Sequence, residues 1–393
     1  MTDQKKEIYL DNSATTPLCP AALTRLSEVT EIYGNPSSLH AVGQRAEAVL
    51  KQAREQLLAA LGVRPRTPDT FIFTSCGTEA TSLAILGTAY AKKRRDALRI
   101  LTTDSEHPSV LRVLDLLAED GFEIIKLSTK NGALSMEELD GILNENKKIL
   151  LASLMLVNNE TGARYEVEEA FRRIKSRFPE AVTHCDAVQG FLRIPFTPSG
   201  LGADLITVSG HKIHAPKGVG GLYVSGDILK KKKLRPFLYG GGQEGGMRSG
   251  TENLLGIAAF GAAAAHMKQK LSEHQATLDA LYAYASEKLS PLDLRINRPA
   301  GRHVSHILNV TLPSIKSETA LHFLSGEGIY VSSGSACSSH SHHPSETLLA
   351  FGLTPKEADC SLRISFSPFN TTAEIDALAS ALASALDRLV RIR

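Results

Sequence analysis

The feature that most constrains the fold is a regular alternation of short β-rich runs and longer amphipathic stretches between residues 70 and 225. Such alternation is typical of a mostly parallel sheet that is covered by helices on both faces. In such sheets the functional groups lie at the carboxyl ends of the strands. The predicted strands are 71–74, 99–103, 123–127, 149–155, 181–185 and 205–209, and the predicted helices between them include 78–91, 108–119 and 167–177.

The rest of the chain has a different pattern. Residues 254–267 are apolar and rich in alanine but shorter than the roughly 20 residues that a membrane span needs, so we expect a buried helix there. A long helical stretch over 268–289 is followed by predicted strands at 307–312 and 362–366, and an amphipathic helix begins at Thr372. This pattern predicts a second, smaller α+β domain.

Composition excludes several classes of protein. The chain has 393 residues, enough for about two domains, and its 44 basic residues nearly balance 42 acidic ones. We therefore expect no direct binding to nucleic acid or to a membrane surface. Five scattered cysteines without a Cys-x-x-Cys pair argue against a disulfide framework and a zinc site. Together with an N-terminus that lacks a signal-type apolar stretch, they predict a reducing, cytoplasmic location.

Two charged residues follow predicted strands at one edge of the sheet. Lys212 comes just after strand 205–209, in a loop where partial desolvation would lower its pKa and make it nucleophilic toward an aldehyde. Asp186 follows strand 181–185, and a carboxylate there would keep a pyridinium nitrogen protonated, as pyridoxal 5′-phosphate (PLP) needs in order to accept electrons. Taken singly, Lys212 could be a surface lysine and Asp186 a helix N-cap.

Two more motifs lie at strand ends of the same predicted sheet. Gly77 and Thr78 lie where a strand meets a helix, and a helix N-terminus favours a phosphate group. An ordinary N-cap is the alternative for this pair. His107 follows strand 99–103, where its imidazole could stack on a cofactor ring. Because four weak motifs coincide at one sheet edge, their joint prediction of a PLP site is stronger than that of any single motif.

Cys337 differs from the other cysteines in its surroundings. It lies in a run of small polar residues without apolar periodicity, where a thiol has the access that a nucleophile needs. An incidental loop cysteine is the alternative. The other four cysteines are expected to be packed, namely Cys19, Cys76, Cys185 and Cys360. Of these, Cys76 and Cys185 would lie near the cofactor.

Arg363, on the predicted strand 362–366, is suited to bind the carboxylate of an amino acid through two hydrogen bonds, although a structural ion pair is nearly as plausible.

The glycine-rich segment that begins at Gly240 formally matches a dinucleotide fingerprint, but no strand-to-helix unit surrounds it, so we predict no nicotinamide or flavin site. The histidines after Cys337 are predicted to lie in a solvated loop without a metal; they are His340, His342 and His343.

Read together, the motifs resemble those of the cysteine desulfurases of the nitrogen-fixation and iron–sulfur-cluster assembly type. The resemblance covers almost the whole chain, and the motifs occur in the order of that family. They include Tyr9-Leu-Asp-Asn-Ser-Ala-Thr-Thr, Gly34-Asn-Pro-Ser-Ser-Leu-His, Phe73-Thr-Ser-Cys-Gly-Thr-Glu-Ala, Glu106-His-Pro, Asn158-Asn-Glu-Thr-Gly, Asp186-Ala-Val-Gln, Ser209-Gly-His-Lys, Arg248-Ser-Gly-Thr-Glu-Asn, Ser332-Ser-Gly-Ser-Ala-Cys and Ser361-Leu-Arg-Ile-Ser. The chain departs from the family's usual residues at Leu156, Cys76 and Gly245-Gly246.

The resemblance implies an α/β fold of the PLP-dependent transferase fold type I, with a mostly parallel seven-stranded sheet in the large domain. That domain would comprise residues 16–265. Residues 1–15 and 266–393 would form the smaller α+β domain, which carries the nucleophile loop. The family also implies a homodimer.

Roles at the cofactor follow from the resemblance as well. Lys212 would bind the aldehyde of PLP covalently, and Asp186 would pair with the pyridine nitrogen. His107 would stack on the ring, while Gln189 and Asn159 would contact its substituents. The phosphate would be held by Gly77, Thr78, Ser209 and His211, with Thr251 reaching the phosphate bound in the partner subunit.

The implied reaction is the removal of sulfur from L-cysteine. Arg363, with Asn159, would bind the substrate, Lys212 would move its α-proton, and His107 is a candidate general base. Cys337 would take the sulfur as a persulfide, release L-alanine, and pass the sulfur to an acceptor or scaffold protein. The same chemistry would serve iron–sulfur cluster assembly, tRNA thiolation or cofactor thiolation. The alternatives are a selenocysteine lyase, another PLP-dependent aminotransferase-like enzyme, and a non-catalytic sulfur-relay partner.

Overall fold

The computed structural model describes residues 7–91, 98–145, 147–334 and 344–390. The α-helices of this part are α1 (Pro20–Val29), α2 (Ala41–Ala60), α3 (Gly77–Ala89), α4 (Pro108–Glu119), α5 (Met136–Asn144), α6 (Val167–Arg177), α7 (Pro198–Leu201), α8 (Gly226–Lys230), α9 (Leu254–Gln269), α10 (Leu271–Leu289), α11 (Ser317–Gly326), α12 (Glu346–Phe351), α13 (Pro355–Asp359) and α14 (Thr372–Arg388). The strands are β1 (Ile8–Tyr9), β2 (Thr70–Thr74), β3 (Arg99–Thr103), β4 (Glu123–Leu127), β5 (Ile149–Met155), β6 (Val182–Asp186), β7 (Leu205–Ser209), β8 (Gly220–Val224), β9 (Arg295–Ile296), β10 (Ile307–Thr311), β11 (Ile329–Tyr330) and β12 (Ser361–Ser365).

The main sheet has seven strands in the order β2-β8-β7-β6-β5-β3-β4. The five strands from β3 to β7 all run parallel to one another. Strand β8 is antiparallel to both of its neighbours, β7 and β2. This confirms the predicted α/β class and the mostly parallel sheet. The strand pattern missed β8, which begins with two glycines. A side chain at Gly221 would collide with the ring of Phe71 on the neighbouring strand, so packing selects a residue with no strand propensity.

The central strands of the main sheet are buried on both faces. All residues of β3, β5, β6 and β7 are buried. Successive side chains point to opposite faces, so Ile100 packs into one apolar cluster and Leu101 into the other. The sheet therefore holds the ends of its strands rigidly, and any groups that follow those ends are held with them.

Helices α9 and α10 confirm the two predicted helices over 254–267 and 268–289, except that the boundary between them lies a few residues later than predicted. The first helix ends at Gln269 and the second begins at Leu271, with a non-helical residue, Lys270, between them. The change of direction follows from packing. Met267 near the end of α9 lies in the core of the main sheet, whereas Leu278 of α10 lies in a separate apolar cluster.

That separate cluster surrounds a small antiparallel sheet in the order β12-β10-β9, against which α10, α11 and α14 pack. The N-terminal strand β1 pairs in parallel with β11, and Leu10 enters the same cluster. This pairing carries residues 11–16 to the carboxyl edge of the main sheet. Within the described ranges, no helix is long and apolar enough to cross a membrane.

Candidate active site

A cavity of about 190 Å³ opens at the carboxyl ends of β5, β6 and β7 and at the N-termini of α3 and α4. This is where ligands bind in open α/β sheets. It is lined by most of the residues predicted for the site, namely Gly77, Thr78, His107, Asn159, Asp186, Gln189, Ser209, His211, Lys212 and Arg363. Thr251 is exposed on the loop before α9 and is not part of this lining. Cys337 and the three histidines after it lie outside the described residues.

Lys212 reaches the cavity from a single helical turn after β7. Its ammonium group donates hydrogen bonds to the main-chain carbonyls of Ser13, at 2.6 Å, and Ala14, at 2.7 Å. Its own main-chain carbonyl accepts a hydrogen bond from the buried guanidinium of Arg193 at 2.9 Å. The lysine is therefore fixed at both ends, with its amine facing the cavity.

Asp186 is the last residue of β6 and is 4% exposed. Its Oδ1 accepts a hydrogen bond from the main-chain N–H of Val188 at 3.0 Å. Burial raises the pKa of Asp186 to about 6, although the Val188 N–H and the charge of Lys212 act in the opposite direction. The carboxylate is thus mostly ionised above pH 7, and a cationic nitrogen beside it would lower its pKa further.

The two histidines of the cavity are neutral at physiological pH. Burial, together with the charge of Lys212, lowers the pKa of both His107 and His211 to about 4. The main-chain N–H of Ser109 donates to Nδ1 of His107 at 3.1 Å, so the proton of the neutral ring belongs on Nε2. A neutral, oriented imidazole can stack on an aromatic ring, and its low pKa makes it a weak base.

The N-terminus of α3 forms a cradle for an anion. Cys76 occupies the N-cap position but makes no side-chain capping hydrogen bond, and Ser209 Oγ is buried without a hydrogen-bond partner among the described residues. A Cβ on Gly77 would lie 3.3 Å from both Ser209 Cβ and Val188 Cγ2, so the glycine keeps the cradle open. Unpaired N–H groups, an unpaired hydroxyl and the helix dipole together fit a phosphate group.

Arg363, on β12, is 1% exposed and lies in the wall opposite the sheet edge. Its guanidinium donates to the main-chain carbonyl of Asn159 at 3.0 Å and to Oδ1 of Asp11 at 2.8 Å. Its Nε is buried and has no partner among the described residues. From the sequence, Arg363 could either bind a substrate carboxylate or form a structural ion pair. In the structure it forms an ion pair with Asp11 and also lines the cavity.

Several contacts in the site could not be predicted from the sequence. Ser13 and Ala14 act through main-chain carbonyls, which every residue type possesses. Asp11 belongs to a motif that was recognised, but its ion pair with a residue 352 positions later depends on the packing of both chain ends. Arg193 has no charged or apolar pattern around it that would indicate contact with Lys212.

The four described cysteines are free thiols. Cys19, Cys185 and Cys360 are buried as expected, and burial raises the pKa of each thiol. Cys76 lines the cavity from the N-cap of α3, which agrees with its predicted place near the cofactor, but it is only partly buried rather than packed. No group of three or more histidine, cysteine, aspartate or glutamate residues within the described ranges is arranged to hold a metal ion.

Comparison with known proteins decides the family. The model of the aminotransferase class-V family matches residues 8–378. A cysteine desulfurase of Trichormus azollae is 37% identical over 97% of this chain and 93% of its own length. The chain belongs to the cysteine desulfurases of the class-V aminotransferase family. The predicted family is therefore confirmed.

Solved structures agree with this assignment. A NifS-like protein superposes with a TM-score of 0.88 at 34% identity, over 98% of this chain and all (100%) of its own. A structure described as SspA in complex with cysteine superposes with a TM-score of 0.78 at 28% identity, over 92% of this chain and 99% of its own. The predicted fold type is confirmed by these likenesses.

Proposed function

We propose that this chain uses PLP to remove sulfur from L-cysteine, releasing L-alanine and leaving the sulfur as a persulfide on Cys337. The observation that carries the proposal is one cavity in which the Lys212 amine, the buried Asp186 carboxylate and the anion cradle of α3 meet the guanidinium of Arg363. The cysteine bound in the related SspA structure supports the choice of substrate.

The lining of the cavity fits PLP group by group. Lys212 would hold the aldehyde, Asp186 the ring nitrogen, and His107 the face of the ring, with Gln189 and Asn159 at the ring substituents. The phosphate would lie in the cradle formed by Gly77, Thr78, Ser209 and His211. When bound, PLP supplies an electron sink that weakens the bonds at the α-carbon of an amino acid.

The protein's own groups would supply binding, orientation and proton transfer. The guanidinium of Arg363, already oriented by Asp11, would bind the substrate carboxylate with the help of Asn159. The amine of Lys212 would move the α-proton once the substrate amine has taken its place. His107 would cover the cofactor ring and remains the candidate general base, with a basicity that burial and the charge of Lys212 lower.

Cys337 is within reach of this site by chain length alone. The main chains of Ser332 and Arg363 exchange two hydrogen bonds, with donor–acceptor distances of 3.1 and 2.7 Å. Cys337 follows Ser332 by five residues, and five extended residues span at most about 18 Å. This short sequence separation from a residue paired with Arg363 supports the role of Cys337 as the sulfur acceptor within the chain.

We also propose that the chain works as a homodimer in which Thr251 reaches the partner's phosphate site. Tyr33, Leu39 and Tyr239 are 83%, 92% and 71% exposed, and the proposed partner subunit would cover these large side chains. The loop that carries Thr251 is fixed by Arg248, whose Nε donates to Oε1 of Glu79 in α3 at 2.7 Å. Light scattering of the purified protein should give twice the mass of one chain.

The finer organisation of the molecule follows the same proposal. Residues 16–265 would form the large domain, and residues 1–15 with 266–393 the small one, since Leu10 packs with the apolar residues of the C-terminal part. We place the protein in the cytoplasm, where a thiol and a persulfide are compatible with the reducing environment. Its partner in sulfur delivery would be an acceptor or scaffold protein.

The experiment that tests the proposal is a visible absorbance spectrum of the purified protein, followed by addition of L-cysteine and assays for alanine and sulfide in the presence of a thiol reductant. We expect a yellow protein that produces both. Cys337→Ser should retain the colour and lose sulfur transfer, whereas the buried-cysteine control Cys360→Ser should retain both. A colourless protein, or a yellow one that leaves cysteine intact, would contradict the proposal.

A further inference from the structure

Arg193 is a buried cation to which the proposed function assigns no role. It is 5% exposed and is not part of the cavity lining. Burial lowers the pKa of its guanidinium to about 10, so the group is still charged at physiological pH. Within the described ranges no carboxylate pairs with it, and its Nη1 is buried without a hydrogen-bond partner there. An unpaired buried charge weakens a fold, so its presence calls for another reason.

Three histidines lie near Arg193 and do not compensate its charge. They are His214 in the loop after β7, His274 on α10 and His306 just before β10. Burial lowers the pKa of each ring, and the charge of Arg193 acts in the same direction. These rings are therefore mainly neutral at physiological pH, and the guanidinium is the cation of this cluster.

One end of the guanidinium has a defined partner. Its Nη2 donates a hydrogen bond to the main-chain carbonyl of Lys212 at 2.9 Å. The main-chain N–H of Arg193 donates to the carbonyl of Gly190 at 3.1 Å, in the turn that also carries Gln189 of the cavity lining. Arg193 therefore connects the turn after β6 with the main chain of the lysine that follows β7.

The backbone is strained on both sides of this contact. Leu192, directly before Arg193, has a φ of 56°, and His214, two residues after Lys212, has a φ of 65°. Both residues are buried, and both lie in the left-handed region, which is unfavourable for a residue with a Cβ. Such strain persists only where the surrounding structure maintains it, and it is often found where a precise geometry serves a function.

We infer that Arg193 is a positioning residue, which holds the main chain of Lys212 so that the lysine amine stays aligned with the α-proton of the substrate. The inference rests on the proposed role of Lys212 as the group that moves this proton. When the substrate amine has taken its place, the amine of Lys212 must stay near the α-carbon, and Arg193 fixes the main chain from which that side chain extends. A displacement of about 1 Å in such a group can slow a reaction on the order of a hundredfold.

The test is production of alanine by the PLP-loaded dimer from L-cysteine and from L-cysteine deuterated at the α-carbon. Arg193→Met replaces the guanidinium with an uncharged, apolar side chain. We expect kcat to fall on the order of ten- to a hundredfold. The deuterium isotope effect on kcat should rise, because proton transfer becomes slow relative to the other steps.

Two other properties of Arg193→Met should stay close to those of the wild type. The cysteine concentration that half-saturates the change in the absorbance of bound PLP should be the same, because the cavity lining is intact. The melting temperature should change little, because removal of an unpaired buried charge offsets the loss of one hydrogen bond.

Two further variants keep the test decisive if Arg193→Met folds poorly. Arg193→Lys keeps the charge without the guanidinium fork, and Arg193→Gln keeps an N–H donor without the charge. Both should show a lower kcat and a larger isotope effect than the wild type. Lys233→Met is the matched control, because it removes another buried cation that donates to a main-chain carbonyl, that of Glu180, and should leave both values unchanged.

Wild-type values of kcat and of the isotope effect in the Arg193 variants would overturn the inference while leaving the proposed function intact. A lower kcat with an unchanged isotope effect and a lower melting temperature would also overturn it, because Arg193 would then serve only stability. If the wild-type protein itself binds PLP but releases no alanine from cysteine, the proposed function and the inference both fail.

Discussion

The two walls of the cavity are built in different ways. The wall at the sheet edge is made of side chains that follow strands of the main sheet, with Asp186, Lys212 and His107 as its chemical groups. The opposite wall comes from the two ends of the chain. Ser13 and Ala14 contribute main-chain carbonyls there, and Arg363 contributes the guanidinium.

Different forces hold these walls in place. The buried parallel sheet fixes the main chain of the sheet-edge wall. The function of this wall therefore depends mainly on which side chains the main chain carries. The opposite wall depends on long-range hydrogen bonds such as those from Ser365 N to the carbonyl of Leu10 at 2.7 Å and from Ser13 N to Ser365 Oγ at 2.9 Å. We therefore expect substitutions in the first wall to remove chemistry and those in the second to weaken substrate binding.

Lys212→Ala should have the largest effect. Among the residues that line the cavity Lys212 carries the sole primary amine, so its loss should remove both covalent cofactor attachment and proton transfer. We expect turnover of cysteine to fall by at least about 10³-fold, within the range known for loss of a general base. Alanine production measures the effect. Turnover within tenfold of the wild type would contradict the claim that the sheet-edge wall supplies the chemistry.

Arg363→Lys should show the second largest effect, and on binding rather than on chemistry. Lysine keeps the positive charge but loses the planar fork that binds a carboxylate through two hydrogen bonds. We expect KM for L-cysteine to rise on the order of ten- to a hundredfold. The absorbance of bound PLP should be unchanged. A fall in kcat with unchanged KM would contradict the assignment of Arg363 to substrate binding.

Asp11→Asn should produce a smaller change of the same kind. The variant removes the charge that orients the guanidinium of Arg363 but leaves an amide oxygen in place. KM should rise about three- to tenfold, the value expected for weakening one hydrogen bond. If KM is unaffected and the melting temperature falls instead, Asp11 serves stability rather than the orientation of Arg363.

The sequence predicts the first wall far better than the second. Strands β3, β4, β5 and β7 were predicted with the boundaries that the structure has, because each is a short run rich in apolar and β-branched residues that stands apart from the helical patterns around it. The groups after those strands could then be assigned to one edge. The contacts of Ser13 and Asp11 could not be predicted, because they depend on how β1 packs against β11 and on main-chain atoms common to all residues.

Sequence patterns also failed where tertiary packing, rather than local propensity, selects the residues. The strand β8 begins with two glycines that only tertiary packing explains, because a Cβ would collide with the main chain of Cys76 at Gly220 and with the ring of Phe71 at Gly221. The break between α9 and α10 lies at Lys270, a few residues later than predicted, and the two helices pack into different cores. Local propensity alone determines neither the glycines of β8 nor the residue at which these helices separate.

Glu106→Gln should affect turnover least and should sharpen the electrostatic account of the first wall. Burial and, to a smaller extent, the charge of the neighbouring Asp186 raise the pKa of Glu106 to about 8, while the N–H of Met155 opposes the shift. The folded state therefore binds more protons than the unfolded state between pH 4.5 and about 8, so this group destabilises the fold progressively as pH rises through that range.

Glutamine cannot ionise and should abolish this dependence. The free energy of unfolding of Glu106→Gln, relative to the wild type, should increase by on the order of 2–4 kcal/mol between about pH 5 and 8, because one unit of pKa shift corresponds to about 1.4 kcal/mol. Urea unfolding of both proteins at several pH values measures it. A difference that does not change with pH would show that Glu106 is ionised in the folded state throughout.

The most direct test of the central claim is intact and peptide mass spectrometry of the PLP-loaded wild type after one turnover with L-cysteine in the absence of reductant. The account predicts one added sulfur atom per chain, located on the peptide that contains Cys337, together with one alanine released per added sulfur. Alanine release with the extra sulfur on Cys76, the thiol that lines the cavity, would contradict the role of Cys337, and the absence of alanine would contradict the reaction itself.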